Sequence, residues 1–352
     1  MKENGEVTRA LIFGGVGRER EISVLSAEGL FRALRSRKAD ILLAFIDAKG
    51  NWFLANGKDT TPTALAASPI ALGKRVYPVK KDSFGGFLSD NEFIKIDVAL
   101  PILHGDFGED GRVQGALDTA GISFVGCPTE VSAVCRNKSI LKAVLSHYET
   151  PMLEWVEIPR NATADEAIPL IEDTLGYPVF IKPTSLGSSI GATVARTHYE
   201  LKKALLCAKA VSDSIMAERY LSEKRELECA FFEYKGKRYF TSPGQICYDS
   251  GFYDYESKYL THTASISERA DVSTEVCERV RELSARIADI VGLRHFARID
   301  FFLDGDGRIY FNEINTIPGL TESSLFPLMV KGAGVDPCDH FLDLSRPNDR
   351  RI

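Results

Sequence analysis

The stretch RIDFFLDGDGRIYFNEIN, residues 298–315, sets Arg298, Asp300, Glu313 and Asn315 into two otherwise apolar runs. An unpaired charge buried among apolar side chains is strongly disfavoured, so these groups either neutralise one another or hold something positive. The central DGDG is a strong turn signal. With Gly305 and Asp306 as a two-residue loop, Arg298 opposes Glu313 and Asp300 opposes Phe311. Strand alternation then puts all four polar residues on one face of the sheet. Two carboxylates and an amide oxygen on a rigid surface suit a hard cation such as Mg2+, with substrate phosphates and water completing its shell. The same pattern also reads as an Arg298–Glu313 ion pair on a solvated face.

Three further stretches carry groups able to do chemistry. In IKPTSLGSSIGAT (181–193), Gly187 and small hydroxyl residues, Ser188 and Ser189 among them, let backbone N–H groups turn towards phosphate oxygens, with Lys182 at the entrance. An ordinary Gly/Ser turn is the plain alternative, and the Walker pattern is absent from the whole chain. LHGDFGEDG (103–111) runs from a strand end into a glycine- and acid-rich turn, where open α/β sheets bind ligands. There His104 either donates to a substrate carboxylate or fixes the turn. GFYDYESKYL (251–260) holds Tyr253, Tyr255, Lys258 and Tyr259 in a loop that reads as a lid or as a packed surface segment. GGVGRER (14–20) is a poor dinucleotide fingerprint, because Arg20 stands where the last glycine belongs.

The elements that must position these groups follow from periodicity. RALIFGG, DILLAFID and DVALPILHG are continuous apolar runs, and Ile22, Leu25, Leu30, Ala33 and Leu34 recur at helical spacing between the first two. That alternation predicts an open, mostly parallel sheet. GRVQGALDTAG predicts a helix closed by glycine, and VSAVCRNKSILKAVLSHYETPM one continuous helix up to Pro151. YPVFIKP, GATVARTH and SIMAERYL read as strands, with a helix over 200–211. ELECAFFEY and KRYFTSPGQICY read as antiparallel strands joined by a KGK turn, followed by an amphipathic helix through Val276, Val280, Leu283, Ile287 and Ile290. The predicted class is α/β with α+β elements towards the C-terminus, in three units: 1–131, 132–225 and 226–352.

Composition bounds the function. The chain has 352 residues, 44% apolar and 26% charged, with a net charge of −6. No global basic field favours nucleic acid or an anionic membrane surface. No apolar run approaches the ~20 residues of a membrane span. The seven cysteines are scattered, odd in number and never in a C-x-x-C pair, which points to a reducing, cytoplasmic setting.

Taken in order, FGGVGREREISVLSA, PILHGDFGEDGRVQGALDTAGISFVG, VFIKPTSLGSSIGA, FYDYESKYL and RIDFFL…FNEINTIPGLTESSLFP resemble the D-alanine–D-alanine ligases of the ATP-grasp superfamily. The resemblance spans residues 13–327. It implies a three-domain ATP-grasp fold with ATP between the central and C-terminal domains. By resemblance, Lys138 and Lys182 match phosphate-binding lysines, and the loop with Ser188 and Ser189 matches the phosphate lid. Glu218 and Leu221 match the adenine hinge, Glu226 the ribose contact, and Lys258 a phosphate contact from the closed loop. Asp300, Glu313 and Asn315 match the ligands of two Mg2+ ions, for which Mn2+ can substitute. Glu19 matches the acid that receives the first substrate's ammonium, with His104 nearby. Ser188 and Tyr259 match the partners of that acid, and Arg298 with the Gly319 N–H matches the oxyanion donors. Tyr253, Ser324 and Leu325 match the substrate pocket.

The function so implied is ATP-dependent joining of two D-alanines for peptidoglycan precursors, by a homodimer paired through its first domain. The same machinery with D-serine or D-lactate as second substrate is the near alternative, and the match at Tyr259 favours D-alanine. A nucleotide sensor is the alternative from another class, but binding alone needs no oxyanion donor. The chain departs from the family pattern at Arg136 and Asn137, where Met-Asp is common, at Glu322, and in its short polar end after 337.

Overall fold

The structure, a computed structural model, describes residues 7–90, 92–187, 189–248, 264–321 and 323–346. They form three sheets, each with its own helices. In the first, the buried strand Arg9–Gly14 lies between Ile41–Ile46 and Val98–Ile102 and is parallel to both. The 17-residue helix Arg20–Ser36 makes the crossover that a parallel pair needs. Beyond Ile41–Ile46 the remaining strands fold back antiparallel. Only Asp82, at φ 54°, and Ser83 separate Gly73–Lys81 from Phe84–Ser89, too few for a crossover, whereas the helices Pro62–Ala67 and Pro69–Leu72 lie between Trp52–Ala55 and Gly73–Lys81. The expected mostly parallel sheet is therefore correct only for the three strands at one end.

Helical spacing groups Leu25 with the apolar residues of its helix, yet it is 56% exposed. It faces a cavity rather than the core that holds Leu30 and Leu34.

The helix expected to run unbroken to Pro151 is two helices, Thr129–Arg136 and Lys138–His147. Asn137 breaks it by taking an extended backbone, with its side chain accepting from the Ile140 N–H as a new N-cap. The break lets the Lys138 N–H reach the Thr184 carbonyl, 2.9 Å away. Lys138 is thereby set on a first helical turn beside the phosphate-type loop.

The second sheet, ordered Thr193–Ala195, Val179–Pro183, Ile215–Arg219, Trp155–Ile158, is antiparallel and packs on the helices Ala164–Leu175 and His198–Lys209. The third is built on the long strand Lys224–Tyr234, flanked by Gly244–Tyr248 and Phe296–Asp304, with Ile309–Asn315 at one edge and Ala264–Ser267 at the other. Lys235 and Gly236, both at positive φ, make the expected hairpin to Lys237–Phe240.

One core joins the first sheet to the third: Phe232, Phe296, Phe326 and Phe341 pack in the same cluster as Leu11, Phe13 and Leu100. His340 sits edge-on to Phe232, with ring centroids 5.4 Å apart. Burial drives its imidazole from 6.5 down to about 4. Between those values the unfolded chain takes up a proton that the folded chain refuses, so stability falls as pH drops through this window. By linkage the loss amounts to about 3 kcal/mol. His340→Phe, close in shape to its aromatic neighbours, is expected to keep the fold and flatten that acid limb. Urea denaturation at neutral and mildly acidic pH reads this directly; an unchanged slope would place the acid sensitivity elsewhere.

Candidate active site

The hairpin that opened the sequence reading forms with a different register. Gly305, Asp306 and Gly307 make a three-residue turn closed by the Asp304 N–H on the Arg308 carbonyl, with Gly307 at φ 81°. That moves the pairing by one residue, to Leu303 with Ile309 and Phe301 with Phe311. A bulge between Asp300 and Phe301 moves it by one more, giving Asp300 opposite Glu313 and Arg298 opposite Asn315. The expected Arg298–Glu313 pairing is thus wrong. Because two one-residue shifts restore the parity of the pleat, the four residues still share a face. Without the bulge, Asn312 would stand opposite Asp300 and Glu313 would point to the far side.

One acid was not read from the sequence. Glu228 lies opposite Asp300 on the other flank, so Glu228, Asp300 and Glu313 form one row across three strands. Period-two alternation from Glu226 is the signal that could have found it. Like charges directly opposed are destabilising, and cations fill the gaps. Arg298 grips Asp300 with Nε at 2.8 Å and Nη2 at 2.7 Å, and its Nε lies 3.0 Å from Glu228. Lys138 Nζ lies 3.3 Å from Glu313 and donates to the Leu186 carbonyl at 3.0 Å. Burial works against the Arg298 charge, but Asp300, Glu228 and Glu313 outweigh it and push its pKa well up. For Lys138 burial prevails over Glu313, and the pKa falls.

Three carboxylates against two cations leave an acidic surplus made of hard oxygen donors. Asn315 gives its amide nitrogen to Asp300 at 2.9 Å, which turns its oxygen the other way. These are the donor types that a divalent cation such as Mg2+ takes, but among the described residues no three His, Cys, Asp or Glu side chains are gathered as a metal cluster, and Arg298 occupies both Asp300 oxygens.

Towards the second sheet, Glu218 is held by two lysines, Lys142 at 2.7 Å and Lys182 at 2.6 Å. Burial pushes its carboxyl up, but Lys142 and then Lys182 outweigh burial and hold it at about 2. Lys142 has 1% exposure and was not read from the sequence; four positions after Lys138, it lies on the same helix face. Lys142→Met removes one partner of a buried pair, which is expected to cost about 3 kcal/mol in urea denaturation. A loss below ~1 kcal/mol would mean that Lys182 alone suffices for Glu218.

Between the first and third sheets opens a cavity of about 750 Å³. Glu19, His104, Lys138, Arg298 and Glu313 line it, and Asn315 with Gly319 continue the wall. Gly105, at φ 70°, leaves room for Glu19; a β-carbon there would collide with the Glu19 carboxylate. His104 joins the two sides, with Nε2 2.8 Å from Ser26 Oγ and Nδ1 3.0 Å from the Ile317 carbonyl. Both ring nitrogens are thus engaged by the protein, through residues outside the 103–111 turn. On the far wall Leu325 is buried and Ser324 Oγ lies 2.7 Å from Thr321 Oγ1. Asp300, Glu226 and Glu313 also line a smaller neighbouring space of about 50 Å³.

Lys182 and Glu218 line neither space, nor do Ser189 and Leu221. Ser188, Tyr253, Lys258, Tyr259 and Glu322 lie outside the described residues. Among the described residues no helix is long and apolar enough to cross a membrane.

A family model described as D-ala D-ala ligase N-terminus matches residues 8–127, and one described as D-ala D-ala ligase C-terminus matches residues 144–343. The chain is 35% identical over 348 residues to a D-alanine–D-alanine ligase of Caldicellulosiruptor bescii, covering 95% of this chain and 92% of that one. Among solved structures, the D-alanine–D-alanine ligase from Coxiella burnetii matches with a TM-score of 0.84 at 27% identity, covering 97% and 93% of the two chains. A D-Ala:D-Ser ligase from Enterococcus faecalis matches with a TM-score of 0.87 at 32% identity, covering 97% and 98%.

Proposed function

The chain belongs to the D-alanine–D-alanine ligase family, and on that premise we propose which of its side chains carry the reaction. It is a ligase that joins two D-alanines into D-alanyl-D-alanine for peptidoglycan synthesis, and it uses ATP. The observation that carries the assignment of roles is one cavity with Glu19 on one wall and Lys138, Glu313 and Arg298 on another.

A carboxylate is a poor electrophile, so the first D-alanine's carboxylate attacks the γ-phosphorus and becomes an acyl phosphate. The second D-alanine's amine then attacks that carbonyl, and phosphate leaves. Glu19 receives the first substrate's ammonium. Lys138 and Lys182 meet the phosphates, joined by Lys258 and the loop with Ser188 and Ser189. Glu218 and Leu221 hold the adenine, and Glu226 the ribose. Arg298 and the Gly319 N–H donate to the oxyanion of the second step. His104 braces Glu19's wall, Tyr259 and Ser188 tie the loops to Glu19, and Tyr253, Ser324 and Leu325 bound the substrate pocket. Asp300, Glu313 and Asn315 hold two Mg2+ ions, or Mn2+ in their place, which when bound offset the charge on the transferring phosphoryl group.

The second sheet and its two helices pack in a core of their own, which supports a central domain; we set the domains at 1–131, 132–225 and 226–352, with ATP between the last two, and Leu141 and Leu145 of the central unit pack with the third sheet. Exposed Ile70, Tyr77 and Phe84 on the antiparallel extension of the first sheet support a homodimer through that domain. A cytoplasmic setting is supported by Cys127, Cys135, Cys207, Cys229, Cys277 and Cys338, which are free thiols.

The test is ADP release with Mg-ATP and D-alanine, alone and mixed with D-serine or D-lactate, with products identified by mass. D-alanyl-D-alanine as the dominant product is the expected result. A mixed product would keep the mechanism and shift the second-substrate assignment to the Ser324–Leu325 wall. No turnover in folded protein that still binds ATP would overturn the assignment of roles.

A further inference from the structure

Arg136 closes the helix Thr129–Arg136 and lines the large cavity, with its side chain only one-tenth exposed. Its Nη2 reaches Asp106 at 2.9 Å and its Nη1 reaches Glu109 at 3.1 Å. Both acids come from the loop that follows the strand Val98–Ile102. Arg136 therefore ties the first sheet's loop to the helix that leads into Lys138.

The same guanidinium also flanks Glu19. A β-carbon built on Gly187 would lie 3.4 Å from Arg136 Nη1 and 3.8 Å from Glu19 Oε1, so both groups border one point on the phosphate-type loop. Three acids, Glu19, Asp106 and Glu109, thus share a corner with one buried cation. Burial works against that cation, but Glu109, Asp106 and then Glu19 outweigh it and keep it charged.

The corner has to accept an ammonium group while a carboxylate and a polyphosphate approach from the other side. Three uncompensated acids would repel the carboxylate, which sits one carbon from the ammonium. A corner with more cation than acid would repel the ammonium.

We propose that Arg136 is a positioning residue for the first amino acid: it holds Asp106 and Glu109 in ion pairs and offsets part of their charge, so that Glu19 is the acid that meets the substrate ammonium. This rests on the assignment of Glu19 made above. It is a statement about charge balance, and it predicts a large effect of one substitution in one background and a small effect in the other.

The experiment follows the first half-reaction with full-length enzyme, Mg-ATP, D-alanine and hydroxylamine, which traps the activated carboxylate as the hydroxamate. Arg136→Gln is expected to raise the KM for D-alanine by about tenfold or more while the KM for ATP stays within about threefold. Arg136→Lys, which keeps the charge, is expected to stay near wild type. Asp106→Asn, at a side chain 42% exposed, is expected to recover most of the loss in the Arg136→Gln background. In the wild-type background Glu109 and Glu19 still outnumber Arg136, so the same Asp106→Asn is expected to leave the KM within about threefold.

An unchanged KM in Arg136→Gln would overturn the proposal, as would a raised KM that Asp106→Asn does not recover, since that is a packing effect. If Arg136→Gln does not fold, Arg136→Lys decides: a KM for D-alanine raised about tenfold or more in this variant, which keeps the charge, overturns the proposal. Glu19→Gln is the control for the premise. If it leaves the KM for D-alanine unchanged, the assignment of Glu19 is what fails; if it raises the KM while Arg136 and Asp106 variants do not, only the charge balance fails.

Discussion

Glu313→Gln is expected to give a folded protein whose ADP release falls by at least ~10³-fold, a loss of about 4 kcal/mol of transition-state stabilisation. The side chain is 27% exposed and glutamine is isosteric, so no cavity opens and the thermal midpoint should move little. What changes is charge. The row Glu228, Asp300, Glu313 loses one of its three negative charges, and Lys138 loses the carboxylate 3.3 Å from its ammonium. If the acids served only to pair with Arg298, the change would be nearly silent, because Arg298 donates its hydrogen bonds to Asp300, with Glu228 beside it. Added Mg2+ is not expected to restore turnover, since the missing group is an anionic ligand and not merely a weaker one. Turnover within about tenfold of wild type would overturn the assignment of Glu313 as a metal ligand.

The contrast between Glu313 and Glu228 shows what the sequence could tell. Glu313 lies in a short segment between a turn and a second asparagine, where two apolar runs frame it and a hairpin fixes its neighbours. Glu228 lies in ELECAFFEY, where alternation permits it to face either way until the partner strand is known. Strand pairing over about seventy residues of chain is what places it opposite Asp300. The bulge at Asn312 was equally hidden, because no residue type in NEIN announces an extra residue in the ladder. Lys142 and Arg136 were visible only as charges on helices. Their burial depends on acids far along the chain, Glu218 for the one and Asp106 with Glu109 for the other. The elements themselves were more legible, since apolar runs and helical spacing are local. They failed where a local event intervened, as when Asn137 capped a new helix inside a helical pattern.

Arg298→Lys is expected to lower dipeptide formation by ~10²–10³-fold, about 3–4 kcal/mol for one lost oxyanion donor. Lysine keeps the positive charge in the acid row, so electrostatic neutralisation alone cannot account for such a loss. It cannot reproduce the fork that takes both Asp300 oxygens while its Nε lies beside Glu228. The substitution therefore separates two roles that the geometry joins. If Arg298 acts on the oxyanion of the second step, phosphorylation of the first D-alanine should persist within about tenfold. Exchange of the bridging β,γ oxygen of ATP in the presence of D-alanine measures that step alone. Equal loss of exchange and of dipeptide would instead mean that Arg298 acts by holding Asp300 in place, so that the metal site fails before any oxyanion forms. The register favours separable losses. Arg298 stands opposite Asn315, one pleat repeat from the row of acids, and lines the large cavity that also carries Gly319. A group that only braced Asp300 would not need to face that space.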